Sequence, residues 1–257
     1  MLGLYAPGSR KLIRLTSCSQ LEDGLDAAMA LLFGSSLPDG EVAVVRGESG
    51  AVAIGIEKPW RAAGQLVGRA DIVGVIAGDV TYGEPVIELE PGLWGGPWDF
   101  AQASLAGNRA LVATARAALG VGPGTLLELY AGAGNVTRGF RDDGWVVTPS
   151  DGALPAKPPA GFEVGAVGAV LERLATAGRT FDAIALDPPR TGAAEAIDGM
   201  LRLAPRTIVY VSCDPATLAR DAERLVTAGY RAERAWPLDL MPQTSHVEVV
   251  LRLSRGA

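Results

Sequence analysis

Alternating apolar and polar residues predict a small α/β subdomain in the first part of the chain. Strands are predicted at Lys11–Thr16, Glu41–Arg46 and Ala51–Ile56. Apolar residues at helical spacing predict a helix over Gln20–Phe33. The stretch Glu90–Trp98, rich in proline, glycine and tryptophan, then ends all periodicity. We therefore expect this subdomain to cover residues 1–97.

Strand-like and helix-like segments alternate over residues 98–257, which we expect to form the larger domain. Helices are predicted at Asp99–Leu119, Ala166–Ala177, Ala193–Leu203 and Pro215–Ala228. Strands are predicted at Leu126–Tyr130, Trp145–Thr148, Phe181–Leu186, Thr207–Ser212 and His246–Leu253. This order is typical of a mostly parallel sheet covered by helices on both faces. Because such sheets bind ligands beyond the carboxyl ends of their strands, the chemistry is expected just after each strand.

Composition indicates a folded protein of a reducing compartment. Of the 257 residues, 48% are hydrophobic, which favours a buried interior. The sequence has no apolar run long enough to span a bilayer and no signal pattern at Met1–Arg14. Its two cysteines form neither a disulfide framework nor a metal-binding pair. We expect a cytoplasmic protein without a membrane partner.

The net charge of −6 argues against binding nucleic acid by bulk electrostatics. Most of the acidity lies in residues 1–97, so the second part is nearly neutral. The charge distribution therefore leaves undecided whether a local basic face surrounds a site in the second part.

The first candidate motif is LLELYAGAGN, residues 126–135, where an apolar strand carrying Glu128 runs into a glycine turn. Gly132 and Gly134 would let the backbone approach a ligand closely. A dinucleotide fingerprint needs a further glycine where Thr137 stands, which disfavours NAD. Any tight turn also needs glycine, so a plain connection explains this motif equally well.

The second motif is DPPRTG, residues 187–192, directly after a predicted strand. Its prolines end the strand and stiffen the turn, holding Asp187 and Arg190 at the edge of the sheet. A solvated ion pair at a capped strand end is the alternative.

The third motif is YVSCDPATLARD, residues 210–221, with Cys213 between a strand and a helix that has Pro215 in its first turn. The helix dipole favours a thiolate there, as a nucleophilic cysteine requires. Taken alone, a single cysteine is more often a small buried hydrophobe.

The fourth motif is PQTSHVE, residues 242–248, which enters the last predicted strand. Glu248 lies among apolar residues, and such surroundings raise the pKa of a carboxyl group and suit it to proton abstraction. Strand alternation also allows Glu248 to face outward. His246, the single histidine, is interpreted as structural.

In this order the strings LYAGAGN, DPPRTG, YVSCDPATLARD and PQTSHVE resemble the uracil-C5 RNA methyltransferases, which methylate uridines in tRNA and ribosomal RNA. The segment Phe100–Gln102 also resembles the entry to their methyltransferase domain. The resemblance extends over nearly the whole chain. It implies a class I, Rossmann-like α/β methyltransferase fold that uses S-adenosyl-L-methionine.

The resemblance also implies roles for individual residues. Cys213 would add to C6 of the uracil, and Glu248 would remove the proton from C5. The expected cofactor-binding residues are Gln102, Tyr130, Gly132, Gly134, Asn135, Ser150, Asp151 and Asp187. The expected partner is a uridine in an RNA loop, since a base must be unstacked to enter such a pocket. Whether a protein partner supplies a further RNA-binding surface is left open by the sequence.

Several features depart from the family pattern. The sequence begins after the family's N-terminal RNA-binding barrel, through truncation or natural absence, and only Cys18 matches an iron–sulfur ligand, so no cluster is expected. Ser150 stands where the family has a glutamate for the ribose, with Asp151 next to it. Ala166 replaces a polar residue, and Gly152–Pro159 replaces a helix. Asp214, beside Cys213, is expected to disfavour the thiolate.

These departures leave two alternatives open. One is a non-catalytic or weakly cofactor-binding RNA-binding homologue. The other is a methyltransferase for a small molecule, suggested by the acidic charge and the missing barrel. Salt dependence distinguishes the small-molecule methyltransferase from an RNA enzyme. RNA binding weakens steeply with added salt, whereas turnover of a small molecule should not.

Overall fold

The structure is a computed structural model that describes residues 2–6, 8–18, 21, 24–102, 104–242 and 244–256. By spatial proximity the chain divides into two units, Met1–Phe100 and Ala101–Ala257. The assignment of separate domains to residues 1–97 and 98–257 stays a prediction.

In the first unit, a mixed four-stranded sheet carries a small apolar core. The strands of this unit are β1 (Gly3–Tyr5), β2 (Leu12–Arg14), β3 (Val42–Arg46), β4 (Val52–Ile56), β5 (Ile72–Ala77), β6 (Val80–Gly83), β7 (Ile87–Glu90) and β8 (Leu93–Gly95). The main sheet has the order β3-β4-β5-β6, with β4 and β5 parallel. Helix α1 (Asp26–Phe33) and a 3₁₀ helix (Ala63–Leu66) pack against it.

Two expectations for this unit need correction. Helix α1 begins at Asp26, later than predicted, and part of the predicted start (residues 20, 22 and 23) lies outside the described residues. The stretch that ends the periodicity is not without structure, because β8 lies inside it. Trp98 in that stretch covers Gly55 of β4, where an added Cβ would lie 2.5 Å from the indole ring.

The second unit alternates strands and helices, as the sequence predicts. Its strands are β9 (Gly124–Leu129), β10 (Trp145–Asp151), β11 (Glu163–Val164), β12 (Ala183–Leu186), β13 (Thr207–Ser212), β14 (Tyr230–Leu238) and β15 (Glu248–Arg255). Its helices are α2 (Leu105–Leu119), α3 (Asn135–Asp142), α4 (Val167–Thr176), α5 (Ile197–Leu203) and α6 (Pro215–Thr227).

These strands form one sheet in the order β11-β10-β9-β12-β13-β15-β14. The first five are parallel, and β15 runs antiparallel to both of its neighbours. The strand order reverses between β9 and β12, which opens a crevice at the carboxyl edge of the sheet. Apolar cores cover both faces, one under α4, α5 and α6 and the other under α2 and α3.

The ends of two elements differ from the prediction for local physical reasons. Helix α2 begins at Leu105 because the Ser104 side chain accepts the N–H of Gly107 as an N-cap, at 2.9 Å. Strand β14 escaped prediction because residues 231–235 are exposed on both faces, so its edge position leaves no apolar alternation. No helix among the described residues is long and apolar enough to cross a membrane.

A buried carboxyl group joins β9 to α3 beneath the glycine turn. Glu128 is buried and accepts a 2.5 Å hydrogen bond from the Thr137 hydroxyl. Burial raises the pKa of Glu128 to about 8, and the Thr137 bond only partly opposes this. Glu128 is therefore mainly a neutral acid at pH 7, which keeps an uncompensated charge out of the core.

The close approach of α5 to α4 requires glycine at position 199. A Cβ added there would lie 2.7 Å from the Leu171 Cβ atom. We expect Gly199→Ala to lower the free energy of unfolding by about 1–3 kcal/mol through overpacking. Urea denaturation followed by tryptophan fluorescence measures this.

Gly168→Ala is the matched control, because Gly168 is exposed on α4 and an added Cβ meets nothing within 4 Å. Its better helix propensity should raise stability by up to about 1 kcal/mol. Equal losses in the two variants would contradict the proposed close contact.

Candidate active site

The predicted site residues of the second unit gather at the carboxyl edge of its sheet. Leu186 of β12 pairs with Leu129 of β9 and with Tyr210 of β13. Asp187 and Tyr130, which follow these strands, therefore leave the sheet at the same level. The crevice expected at the switch in strand order lies between them.

The glycine turn after β9 has left-handed backbone angles at three positions. Tyr130 has φ of 59°, Gly132 of 52° and Gly134 of 88°. A Cβ at Gly132 would meet nothing, whereas one at Gly134 would lie 2.5 Å from Pro159. The open face at Gly132 leaves room for a ligand against the backbone.

Ser150 and Asp151, both predicted to contact a cofactor, have different surroundings. Strand β10 continues through Asp151, beyond the predicted end at Thr148. Ser150 is buried and donates its hydroxyl to the Glu128 carbonyl oxygen at 3.0 Å. Asp151 is half-buried at the strand end and accepts the Gly132 N–H at 2.9 Å. The carboxylate that faces the glycine turn is thus that of Asp151.

Asn135 makes a pair of contacts that the sequence did not predict. Its side-chain amide exchanges two hydrogen bonds with that of Asn108, at 2.6 and 2.9 Å. Asn108 is buried on α2, so this pair ties α2 to the start of α3. The N–H₂ group and the carbonyl group of the Asn135 side chain both bind Asn108, so Asn135 supports the glycine turn. The sequence signal for this pair was Asn108 itself, a polar residue on the buried face of the helix predicted at Asp99–Leu119.

Backbone pairing brings Cys213 and Glu248 together. Ser212 of β13 pairs with Val249 of β15 in the antiparallel register. Cys213 and Glu248 are the next residues outward from this pair, and the charge of Glu248 acts on the Cys213 thiol. Glu248 is buried, so the alternative of an outward-facing residue is wrong.

The two carboxyl groups near Cys213 hold their protons unusually tightly. Burial raises the pKa of Glu248 to about 7, and the charge of Asp187 adds to the shift. Burial alone raises the pKa of Asp187 to about 6. The raised pKa predicted for Glu248 is confirmed.

The expectation of a favoured thiolate at Cys213 is wrong for the free protein. Burial raises the pKa of the Cys213 thiol, and the charge of Glu248 raises it further. Arg190 lowers it to a smaller extent, and Asp187 adds the smallest of these charge effects, again raising it. The N–H groups at the start of α6 are not directed to the thiol, because the Asp214 side chain accepts those of Ala216 and Thr217, each at 2.9 Å. Asp214 therefore acts as the N-cap of α6.

The remaining predicted residues lie around this centre. Arg190 is exposed, and its guanidinium lies 3.4 Å from the ring Nε2 of His246. Gln102 is half-buried just before the N-cap of α2. The Tyr130 hydroxyl is buried, and no described residue forms a well-aligned hydrogen bond with it. Burial, and then the nearby carboxylate of Glu195, raise the pKa of Tyr130.

The arrangement offers a thiol nucleophile facing a buried carboxyl group that is half-ionised near neutral pH. The charges of a second carboxyl group and of a guanidinium act on the thiol, and an open glycine turn follows β9 at the same edge of the sheet. Such a set can add to an electron-poor ring and then move a proton from it.

Comparison with known sequences gives one family. The family profile described as tRNA (Uracil-5-)-methyltransferase matches residues 170–256. A 23S rRNA (uracil(1939)-C(5))-methyltransferase, RlmD, of Thiobacillus denitrificans is 38% identical over 195 residues, which cover 70% of this chain and 45% of that protein. The RlmD of Erwinia tasmaniensis is 29% identical over 289 residues, covering 99% of this chain and 65% of that protein. The chain thus spans only part of the length of these relatives.

Among solved structures, the tRNA (uracil-54, C5)-methyltransferase of Pyrococcus abyssi, in complex with S-adenosyl-L-homocysteine, superposes with a TM-score of 0.65. It is 23% identical, and the match covers 82% of this chain and 58% of that one. This likeness shows that the fold is that of the class I methyltransferases. The profile and the relatives show that this chain is similar to the uracil-C5 RNA methyltransferases.

Proposed function

We propose that this protein transfers a methyl group from S-adenosyl-L-methionine to C5 of a uridine in RNA, through a covalent adduct on Cys213. The observation that carries this proposal is the register that sets Cys213 opposite the buried, half-ionised Glu248. We place the activity in the cytoplasm, where a reducing environment keeps the thiol free.

The residues of the glycine turn fit the cofactor. The Asp151 carboxylate is an acceptor suited to ribose hydroxyls, and it stands beside the open Gly132. Val164, paired with Asp151 in the sheet, leaves 45% of its surface exposed as an apolar wall for an adenine ring. The Tyr130 hydroxyl adds a polar atom that lacks a well-aligned internal partner. When bound, the cofactor would supply an electrophilic methyl group and would leave as S-adenosyl-L-homocysteine, whose sulfur keeps the electrons of the broken S–C bond.

The chain's own residues would do the rest of the chemistry. The Cys213 thiolate adds to C6 of the uracil, and the electron pair of the C5–C6 double bond becomes a nucleophile at C5. Once C5 carries the methyl group, the Glu248 carboxylate takes the C5 proton. The electrons left by that proton re-form the double bond and expel Cys213 as a thiolate. Burial of Glu248 keeps water from competing for its proton-accepting oxygen.

An RNA substrate is supported by the relatives, which act on 23S rRNA and, in the Pyrococcus protein, on uridine 54 of tRNA. The target base must leave its stack to reach Cys213, so a loop uridine is expected. Which RNA is modified is decided by the assays below.

The non-catalytic alternative rests on Ser150, on Ala166 and on the stretch Gly152–Pro159 in place of a helix. Only the first of these is weakened, because Ser150 is buried within the sheet. Asp151 supplies a carboxylate at the adjacent position, where it accepts the Gly132 N–H of the glycine turn.

Asp151→Asn tests the cofactor site. The amide keeps an acceptor for the Gly132 N–H but removes the charge offered to the ribose. Because hydrogen bonds to charged groups contribute about 1.5–3 kcal/mol, the affinity for S-adenosyl-L-homocysteine should fall ~10- to 150-fold. Isothermal titration calorimetry measures this.

Asp142→Asn, at an exposed position on α3, is the control of equal charge and should leave the affinity unchanged. If the wild-type protein binds no S-adenosyl-L-homocysteine up to millimolar ligand, the cofactor proposal is wrong.

Cys213→Ala tests the nucleophile. The wild-type protein, given the cofactor and 23S rRNA or tRNA transcripts made with 5-fluorouridine, should form an adduct stable on denaturing gels, because fluorine at C5 cannot leave as a proton. The alanine variant should form none and should not methylate uridine transcripts. Mass spectrometry of the trapped peptide identifies the sulfur.

Cys18→Ala should retain both the adduct and turnover, since Cys18 lies in the first unit. Full turnover by Cys213→Ala, or an adduct on Cys18, would rule out the mechanism.

Glu248→Gln tests the base through the pH dependence of kcat/KM on the transcript that the trapping experiment selects. The base must be ionised at a pKa of about 7 and the thiol at a higher pKa. The logarithm of kcat/KM should therefore rise with a slope of about two below pH 7 and about one above it. In the variant, the slope should be about one throughout, turnover should be slow, and the adduct should accumulate on ordinary uridine.

Glu223→Gln, on the exposed side of α6, should reproduce the wild-type profile. A change of slope near pH 7 that persists in Glu248→Gln would assign that ionisation to another group.

A further inference from the structure

A buried carboxylate on α6 ties together three segments that surround Cys213. Asp221 has no exposed surface. It accepts the Ala193 N–H at 2.7 Å, the Tyr210 hydroxyl at 2.8 Å and the Arg220 Nε–H at 2.9 Å. Since burying a carboxylate is costly unless its donors are held in place, this geometry fixes all three segments together.

The loop after β12 is attached to α6 at further points. Arg220 donates to the Thr191 carbonyl oxygen at 2.9 Å. Gly192 has φ of 78°, and a Cβ there would lie 2.6 Å from the Asp221 carboxylate. The loop therefore closes directly onto Asp221, with no space for a side chain between them.

The segments tied by Asp221 are those that carry the reactive groups. Tyr210 precedes Cys213 on β13, and α6 begins two residues after Cys213. The loop held through Ala193 begins with Asp187 and Arg190, whose charges act on the Cys213 thiol. A displacement of this loop would change the surroundings of Cys213 and would move Asp187 and Arg190 relative to the thiol.

We propose that Asp221 and Tyr210 form a positioning pair, which holds the 187–192 loop against the turn that bears Cys213 and thereby sets the exposure and reactivity of this thiol. The consequence for methyl transfer rests on the proposed function, but the effect on the thiol does not.

Tyr210→Phe tests the pair by removing one hydroxyl from the network while leaving the ring in the core. The readout is the rate of alkylation by iodoacetamide, measured from pH 6 to 9 in a Cys18→Ser background where Cys213 is the only thiol. Burial is the largest cause of the raised pKa of Cys213, so loosening the loop should lower that pKa. A fall of about half a unit makes alkylation ~3-fold faster below the pKa.

Tyr230→Phe is the matched control. Tyr230 is also buried, and its hydroxyl donates to the Pro205 carbonyl oxygen at 2.7 Å, at the opposite edge of the sheet. Its alkylation profile should equal that of the parent protein. Equal profiles for Tyr210→Phe and Tyr230→Phe would overturn the proposal, because a general loss of stability affects both.

Asp221→Asn provides a second variant, in which an amide nitrogen replaces one carboxylate oxygen, so the side chain can no longer accept from both Arg220 and the Ala193–Tyr210 pair. Its alkylation rate should rise at least as far as that of Tyr210→Phe, and if it fails to fold, Tyr210→Phe still decides. Alkylation needs neither cofactor nor RNA, so the proposal stands or falls independently of methylation.

Discussion

The antiparallel pairing of β15 with β13 is the constraint on which the candidate active site depends. A parallel strand at this position would end with its carboxyl terminus at the reactive edge. Because β15 runs the other way, its first residue, Glu248, stands there opposite Cys213. The ladder from Ser212–Val249 to Thr207–Ser254 holds this arrangement with backbone hydrogen bonds, so a slip of one residue would turn Glu248 to the other face.

Burial at this edge raises the pKa of both partners, which suits Glu248 to act as a base and makes Cys213 a weaker nucleophile. It raises the pKa of Glu248 to about 7, where a carboxylate is an effective base. The same burial raises the pKa of the Cys213 thiol, and the charge of Glu248 adds to that shift. The free protein therefore holds its nucleophile mainly in the protonated form, and Arg190 is the described group whose charge opposes this.

The glycine turn and the thiol centre are supported in similar ways, each by a buried polar group on a neighbouring helix. The Asn108–Asn135 pair fixes the start of α3, and Asp221 fixes the loop after β12. Both groups make several hydrogen bonds within the protein, so each can hold a segment in one place. The groups offered to ligands, among them Asp151 and Cys213, remain partly accessible.

The sequence alone determined the class of fold and the order of most elements in the second unit, because these follow from local periodicity. It also identified Cys213, Glu248 and Asp187 as candidates, because they lie in motifs along the chain. It did not reveal β14, whose edge position removes the alternation, nor Asn108 as the partner of Asn135. It also misjudged the Cys213 thiol, since the helix N–H groups that were expected to lower its pKa are bound by Asp214. Which side chains are buried, which donors are already used and which charges face each other depend on contacts between distant segments, and only the tertiary structure decides them.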